Sequence, residues 1–169
     1  EHTKFDNLDE ELANPTDLRV FAIAQALEEG YTIERIHELT KIDPWFIQRM
    51  KNIVDFEHVL EGYNKIEDIP ADVMRKAKIM GFSDFQIARF VLNHPEGNME
   101  KENLAVRAHR KNLGILPAVK RIPTVASEHP DLTNYLYMTY SVEGYDVNYY
   151  KNEKSVIVLG SGAYRIGSS

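Results

Sequence analysis

Apolar residues recur every three or four positions through the first two thirds of the chain, which is the spacing of a single helix face. Asn14 and Pro15 form a cap and first-turn pair that predicts a helix ending at Gly30. Its predicted apolar stripe consists of Leu18, Phe21, Ala24 and Leu27.

Asp43 and Pro44 form a second pair of this kind and predict a longer helix that ends at Gly62. We expect one apolar face of this helix to be buried. That face carries Phe46, Met50, Ile53, Val54 and Leu60.

The segments GYTIERI and GFSDFQI, which begin at Gly30 and Gly81, repeat one order of residues. Each has a glycine stop, an aromatic residue, a hydroxyl cap and an isoleucine four residues after the cap, as a tight turn between two packed helices requires. In the second copy, Ser83 and Gln86 also match a capping box. Because two copies are too few for a solenoid, repeated helical hairpins in a compact bundle are predicted.

The pattern changes after Gly114, where β-branched and aromatic residues dominate and NYLYMTYS alternates as a strand does. Residues 156–159 read as a buried strand and are followed by the glycine-rich loop GSGAYRIG. The predicted fold is therefore mainly α: a helical bundle of repeated helical hairpins, followed by a small β-rich C-terminal segment. Residues 1–13 are predicted to be an acidic linker.

Composition narrows the classes of function. The chain has 169 residues, 43% of them apolar, a net charge of -6 and no cysteine. No apolar stretch is long enough for a membrane span, and the acidic balance disfavours nucleic-acid binding. Disulfides and thiolate metal sites are excluded, and a cytoplasmic location is favoured. No secretory signal is recognisable in the acidic N-terminal residues.

A local basic run interrupts this acidic balance, because residues 103–127 contain no acid. We interpret the run as a solvated helix face or as the partner of acids elsewhere in the chain, rather than as a phosphate site. Its cations are Arg107, Arg110, Lys111, Lys120 and Arg121.

No motif predicts catalysis. The six histidines form no H-E-x-x-H pair, and the chain has neither a nucleophile elbow nor a phosphate-binding loop of the G-x-x-x-x-G-K type. Glu128 and His129 are adjacent, but adjacent side chains point in different directions on a helix or strand. The loop GSGAYRIG has one residue too many before its last glycine to match G-x-G-x-x-G. We expect no catalytic, cofactor-binding or metal-binding residue.

Four segments, LTKIDPWFIQRMK, KAKIMGFSDFQIA, GILPAVKRIPTVASEHPDLTNYLYMTY and VIVLGSGAYRIGSS, resemble in this order the central region of the carbamoyl phosphate synthetase large chain. The resemblance extends from about Asn14 to Ser169 and is closer to the eukaryotic form at its end. Pro123 and Ser127 depart from the usual pattern. Since proline donates no backbone hydrogen bond, strand pairing at Pro123 is not expected.

The resemblance implies a helical oligomerisation domain that lies between two ATP-grasp halves and contains neither active site. It implies a parent enzyme that makes carbamoyl phosphate from bicarbonate, glutamine-derived ammonia and ATP, for pyrimidine or arginine synthesis. Mg-ATP would bind in the flanking ATP-grasp domains, and a glutaminase domain or subunit would be a further partner. The chain is expected to be a segment of such a polypeptide, with residues 14–114 as the oligomerisation domain, 115–150 as a connecting segment with strands, and 151–169 as the first strand and glycine loop of the second half.

We therefore expect a non-catalytic spacer that binds a second copy of itself and the flanking synthetase domains. The candidate contact residues are Trp45, Phe46, Phe82 and Phe85, each of which has membership of the core as its alternative. A second interpretation is a ubiquitin-associated module, because KIMGFSDFQIARFVL resembles one, with Met80, Gly81 and Phe82 as the binding loop. A helix-turn-helix DNA binder is a third, but its second helices are too acidic or too apolar for the DNA groove.

Overall fold

The computed structural model describes residues 4–93, 99–122, 128, 135–148 and 154. Within them the chain is predominantly α-helical, as predicted. The elements in order are α1 (Leu8–Ala13), α2 (Arg19–Glu28), α3 (Ile33–Thr40), α4 (Pro44–Glu61), a short 3-10 turn (Ile66–Asp68), α5 (Ala71–Ile79), α6 (Asp84–Val91), α7 (Glu100–Asn112), β1 (Ala118–Arg121) and β2 (Leu136–Thr139).

The chain divides into two units. The helical unit contains Glu1–Pro117 and Thr139–Val142, and the C-terminal unit contains Ala118–Met138 and Glu143–Ser169. Strands β1 and β2 pair in a two-stranded antiparallel sheet. The predicted strand at 156–159 and the glycine loop after it lie outside the described residues.

The repeated glycine turns have the predicted geometry. Gly30 and Gly81 adopt φ of +88° and +98°, which a side chain would strain. In each turn the amide after the glycine donates back across the helix end, from Tyr31 N to Ala26 O at 2.8 Å and from Phe82 N to Ala77 O at 3.1 Å. These are Schellman motifs, which end α2 and α5 and turn the chain into α3 and α6.

Hydroxyl caps then start the following helices. The Thr32 side chain accepts from Arg35 N at 3.1 Å, and Ser83 accepts from Gln86 N at the same distance in a complete capping box. The isoleucine four residues after each cap, Ile36 or Ile87, is fully buried. The glycine stops, hydroxyl caps and buried isoleucines of both hairpins are thus as the sequence predicts, whereas α3 packs mainly on α4 and α1, and α6 mainly on α7 and α4.

Helix α4 contributes to two separate hydrophobic cores. Its first half places Ile47 and Val54 in a core shared with α1, α2 and α3. Its second half places Phe56 and Leu60 in a core shared with α5, α6 and α7. Because Val54 and Phe56 point to nearly opposite sides of a helix, α4 buries one face at its start and another at its end.

The buried faces predicted for α4 and for the helix before Gly30 are therefore partly wrong. Phe46 and Ile53, expected on the buried face of α4, are 58% and 42% exposed. Phe21, expected on the stripe of the first helix, is 53% exposed. The residues that α2 does bury are Ala22, Ile23, Ala26 and Leu27.

The prediction of a linker over residues 1–13 is wrong for Leu8–Ala13, which form α1. Leu8 and Leu12 lie one helical turn apart and are both buried. Asn7 caps α1, and Asn14 ends that helix. The prediction that Asn14 and Pro15 start the helix ending at Gly30 is wrong, because α2 begins at Arg19 with Leu18 at its N-cap and no side-chain cap. The acidic side chains of α1 cover its outer face while the two leucines bury the inner one, so an acidic composition did not prevent folding.

A cluster of buried charges joins α5, α6 and α7. Asp84 accepts from Lys78 Nζ at 2.8 Å and from Arg110 Nε at 2.9 Å. Lys78 also donates to Phe82 O at 2.6 Å, and Arg110 to Ile115 O at 3.2 Å. One cation of the basic run, Arg110, is therefore the partner of an acid elsewhere in the chain, which is one of the two interpretations given for the run.

Tyr140 completes this cluster. Its ring centroid lies 5.1 Å from Lys78 Nζ and 5.7 Å from Arg110 Cζ, so the ring face lies near two cations that share one carboxylate. Burial raises the pKa of the Tyr140 phenol, and the nearby Arg110 opposes that rise. The interactions attach residues 139–142 to the helical unit.

We predict that Asp84→Asn destabilises the protein by about 3 kcal/mol, because it leaves two buried cations without their anion. Asp9→Asn, which breaks only the half-exposed pair with Arg35, should lower the free energy of unfolding by under about 1 kcal/mol. Urea unfolding followed by circular dichroism measures both. Equal losses in the two variants would contradict a structural role for the buried cluster.

Candidate association surface

The first turn of α4 presents two aromatic side chains to solvent. Asp43 caps this turn by accepting from Trp45 N at 2.8 Å, and Pro44 occupies its first position. Trp45 and Phe46 are 57% and 58% exposed, with ring centroids 4.9 Å apart in an edge-to-face arrangement. The rigid cap therefore holds a large apolar surface in a fixed orientation.

Arg49 lies one turn further along and stacks on Trp45. Its Cζ is 4.8 Å from the indole centroid. An exposed tryptophan covered on one face by arginine is typical of the side chains that dominate protein interfaces. The guanidinium group of Arg49 covers one face of the indole ring in the free protein and provides a polar contact at the edge of an interface.

The other two predicted contact residues, Phe82 and Phe85, differ in their exposure to solvent. Phe85 is 43% exposed on α6, whereas Phe82 is only 4% exposed. The Phe82 ring packs with Phe56 at 5.8 Å and with Phe90 at 6.0 Å. The prediction of Phe82 as a contact residue is therefore wrong: the Schellman turn directs the residue after Gly81 into the core. The ubiquitin-associated interpretation needs this ring at the surface and loses its support.

A groove lies between α4 and α5 on the surface of the helical unit. Its volume is about 530 Å³. Val59, 45% exposed, forms part of its floor, and Lys76 Nζ lies 5.0 Å from the Phe56 ring centroid. The lining consists of Asn52, Asp55, Phe56, Val59, Lys76 and Met80. An apolar floor with one acid and one base at its sides suits an aromatic side chain more than a charged ligand.

Three carboxylates interact near the end of α4. Glu57 is half-buried, and burial together with the charges of Glu28 and Glu61 raises its pKa to about 7. The nearby His58 opposes this rise, and its Nδ1 lies 3.0 Å from Glu61 Oε2. The repulsion acts between α2 and α4, which pack together.

The described part of the chain brings no three histidine or acidic side chains together at a metal-binding distance. In the same residues, no helix is both long and apolar enough to cross a membrane. His129 and the glycine loop at 160–167 lie outside the described residues, so their predicted lack of a catalytic role stays a prediction. The features with a defined geometry are the exposed aromatic pair and the groove.

Sequence reasoning found the aromatic pair but missed the groove and the arginine stack. A signal for the arginine stack was present, because Arg49 follows Trp45 by four residues and so lies on the same side of α4. Trp45, Asn52 and Val59, spaced by seven residues, also lie along one line on this helix. The single tryptophan marks one end of that line. The groove itself needs α5 beside α4, which spacing within one helix cannot predict.

The comparisons with known proteins agree with one another. The family profile described as carbamoyl-phosphate synthetase large chain, oligomerisation domain, matches residues 1–114. The chain is 50% identical over 165 residues to the multifunctional protein pyr1-3 of Dictyostelium discoideum, covering 98% of this chain and 7% of that protein. It is 47% identical over 169 residues to the multifunctional protein CAD of Squalus acanthias, covering 100% of this chain and 7% of that protein.

A third relative is the mitochondrial arginine-specific carbamoyl phosphate synthase large chain of Neurospora crassa. It is 47% identical over 167 residues, covering 98% of this chain and 13% of the relative. The chain thus spans between 7% and 13% of the length of these three proteins. The matches to all three continue past residue 114, where the family profile ends.

Two phenylalanines three residues apart provide a test of which aromatic residues are accessible. Phe82→Ala should lower the free energy of unfolding by about 3 kcal/mol, because it leaves a cavity among Phe56 and Phe90. Phe85→Ala should lower it by less than about 1 kcal/mol, since Phe85 is partly in water already. Chemical unfolding of both variants gives these values. A larger loss for Phe85→Ala would contradict the placement of the two rings.

Glu57 should make stability depend on pH. Since its folded pKa of about 7 lies above the unfolded value, the folded state holds this proton more tightly, and stability falls as pH rises from about 4.5 to 7. Glu57→Gln should therefore gain about 1 kcal/mol relative to wild type at pH 8 and little at pH 4.5, a figure reduced for solvent screening. Thermal unfolding at both pH values, with the exposed Glu34→Gln as control, measures the difference. A gain independent of pH would contradict this assignment.

Proposed function

Because the chain belongs to the family of carbamoyl phosphate synthetase large-chain oligomerisation domains, we propose that its helical unit is a non-catalytic association and spacer domain. It binds a second copy of itself and holds the flanking synthetase domains of the parent polypeptide in fixed relative positions. The observation that carries this proposal is the exposed, rigidly capped pair of Trp45 and Phe46, which stays at the surface although both side chains are large and apolar.

The internal structure of the helical unit supports a positional role. Both hairpins are closed by Schellman turns and hydroxyl caps, and α4 is anchored in two cores. Such a unit resists bending, because any tilt of α4 would open packing contacts in one core or the other. A rigid spacer suits an enzyme whose successive reaction steps are carried out by separate domains.

We extend the proposal to the parent polypeptide. It makes carbamoyl phosphate from bicarbonate, glutamine-derived ammonia and ATP, and Mg-ATP binds in its flanking ATP-grasp domains. A glutaminase domain or subunit supplies the ammonia, and the product serves pyrimidine or arginine synthesis. Location in the cytoplasm is part of the proposal, although the Neurospora crassa relative is named as mitochondrial.

Sedimentation velocity of the purified chain over about 1 to 500 μM tests self-association, because weak specific contacts have dissociation constants in this range. We expect the weight-average mass to rise with concentration toward that of a dimer or a larger closed oligomer. High ionic strength should weaken the association only partly, since apolar side chains contribute most of the contact. A constant monomer mass over the whole range would refute self-association of this chain.

A further inference from the structure

The two-stranded sheet leaves a row of backbone groups at the outer edge of β2. Ile122 N donates to Tyr135 O at 2.8 Å, which sets the register of the antiparallel ladder with β1. Residues along such a strand alternate between bonding to the neighbouring strand and pointing away from it. Tyr137 therefore bonds to β1, whereas Leu136 and Met138 direct their amide and carbonyl groups outward. No described residue bonds to these outward groups.

The outer edge of β1, in contrast, is closed by Asp146. The Asp146 amide donates to Val119 O at 3.0 Å, and its carboxylate accepts from Arg121 N at 3.0 Å. The carboxylate also accepts from Lys120 Nζ at 3.2 Å. The bond from the Arg121 amide, together with that from Lys120, holds the pKa of Asp146 below its ordinary value, so the carboxylate is ionised at neutral pH. A further strand can therefore join the sheet beside β2 but not beside β1.

The edge of β2 lacks the features by which proteins prevent strand pairing. Such edges usually carry charged side chains, proline or a bulge. The sequence of β2 is LYMT, with no charge and no proline. Its side chains are exposed on both faces, and Met138 is 73% exposed. An open edge of this kind is typical of a strand that pairs with another chain through its main-chain hydrogen bonds.

We propose that β2 pairs antiparallel with β2 of a second copy, about a two-fold axis that passes by Tyr137. This register places Leu136 opposite Met138 of the second copy. The amide of each donates to the carbonyl of the other, and the two-fold axis repeats the pair, so all outward groups of β2 are bonded. An axis at Leu136 or at Met138 would pair only one of these two residues within β2.

The properties of the sheet favour a second copy as the occupant of this edge. Because Asp146 closes the other edge, pairing stops at two copies and gives a closed dimer instead of a continuing sheet. Since β2 carries no charge, its pairing with itself brings no like charges together. The two copies of Tyr137 meet on the axis as an aromatic cross-strand pair, which stabilises strand pairing. A two-stranded sheet is marginally stable by itself, and the dimer makes it four-stranded.

This contact lies in the C-terminal unit, so it goes beyond the association proposed for the helical unit and does not depend on Trp45 and Phe46. A single strand pair buries well under the roughly 1,200 Å² of a standard-size interface. We therefore expect weak pairing, with a dissociation constant on the order of 100 μM.

The register has a direct test, because the chain contains no cysteine. In Tyr137→Cys, the thiols of two copies would meet on the axis, where Cα atoms about 4.5 Å apart lie within disulfide range. In Tyr135→Cys, the equivalent Cα atoms would lie more than about 13 Å apart, since each is two residues from the axis. Both tyrosines are exposed and share one face of the strand. We expect mild oxidation to convert Tyr137→Cys to a covalent dimer at least about tenfold faster than Tyr135→Cys.

Two substitutions of Met138 separate the backbone contribution from that of the side chain. Met138→Pro removes an amide hydrogen that points away from β1, so the ladder with β1 keeps its bonds. It should weaken dimerisation about tenfold or more, because the Leu136 carbonyl of the second copy loses its donor. Met138→Thr keeps the amide and a side chain that favours strands, and should change dimerisation less than about threefold.

Sedimentation velocity measures both Met138 variants, each combined with Trp45→Ala to reduce the exposed aromatic surface of the helical unit. Trp45→Ala alone is the reference for both. Slow hydrogen exchange of the Tyr137 amide, which bonds to β1, confirms that the sheet persists in each variant.

The outcomes separate this inference from the proposed function. Equal crosslinking of the two cysteine variants, or dimerisation that Met138→Pro leaves unchanged, would overturn the strand pairing while association of the helical unit stands. A wild-type chain that stays monomeric up to about 500 μM would refute both. Preferential crosslinking of Tyr137→Cys together with weaker dimerisation in Met138→Pro would support the four-stranded sheet.

Discussion

The helical unit depends on the burial of α4 in two directions. Ile47 and Val54 fill one core and Phe56 and Leu60 the other, so a single helix connects packing that would otherwise form two small clusters. The sides of α4 that neither core covers are therefore determined by the cores. Phe46 and Ile53 lie on one uncovered side and Trp45, Asn52 and Val59 on another. The exposure of large apolar groups on α4 is a geometric result of this double burial and cannot be removed by rotating the helix.

The two hairpins show how similar turns acquire different roles. Both use a glycine with positive φ, a back-donated amide and a hydroxyl cap. In the first, the residue after the glycine is Tyr31, which is only half-buried. In the second it is Phe82, which fills the core between Phe56 and Phe90. An ion pair between Lys78 and Asp84 spans the second turn, and Lys78 also donates to a backbone carbonyl within it. Buried charge therefore stabilises this turn in addition to apolar packing.

Much of the secondary structure was predictable, because its determinants are local. The Asp43–Pro44 start, the hydroxyl caps and the glycine stops act within a few residues, and the structure reproduces them. The buried faces were less predictable: Phe21, Phe46 and Ile53 fit an apolar stripe, yet contacts from α2, α3 and α6 decide which side of each helix is covered. The sequence leaves Phe82 as either a contact residue or a core residue, because an isolated Met-Gly-Phe loop does not reveal what packs beside it. The ion cluster of Lys78, Asp84 and Arg110 joins residues far apart in sequence and has no local signature. Nor does the groove, since α5 supplies one of its walls.

Tyr140 has a consequence for the order of events during synthesis. Lys78, Asp84 and Arg110 leave the ribosome well before Tyr140 and can pair as soon as α5, α6 and α7 pack. The aromatic ring arrives later and can then pack against Lys78 and Arg110. Nascent chains that end before this tyrosine would carry two cations facing a single carboxylate, more accessible to water than in the finished protein. The attachment of residues 139–142 thus joins segments far apart in sequence and requires a long loop to close, whereas each glycine turn joins helices that are neighbours in the chain.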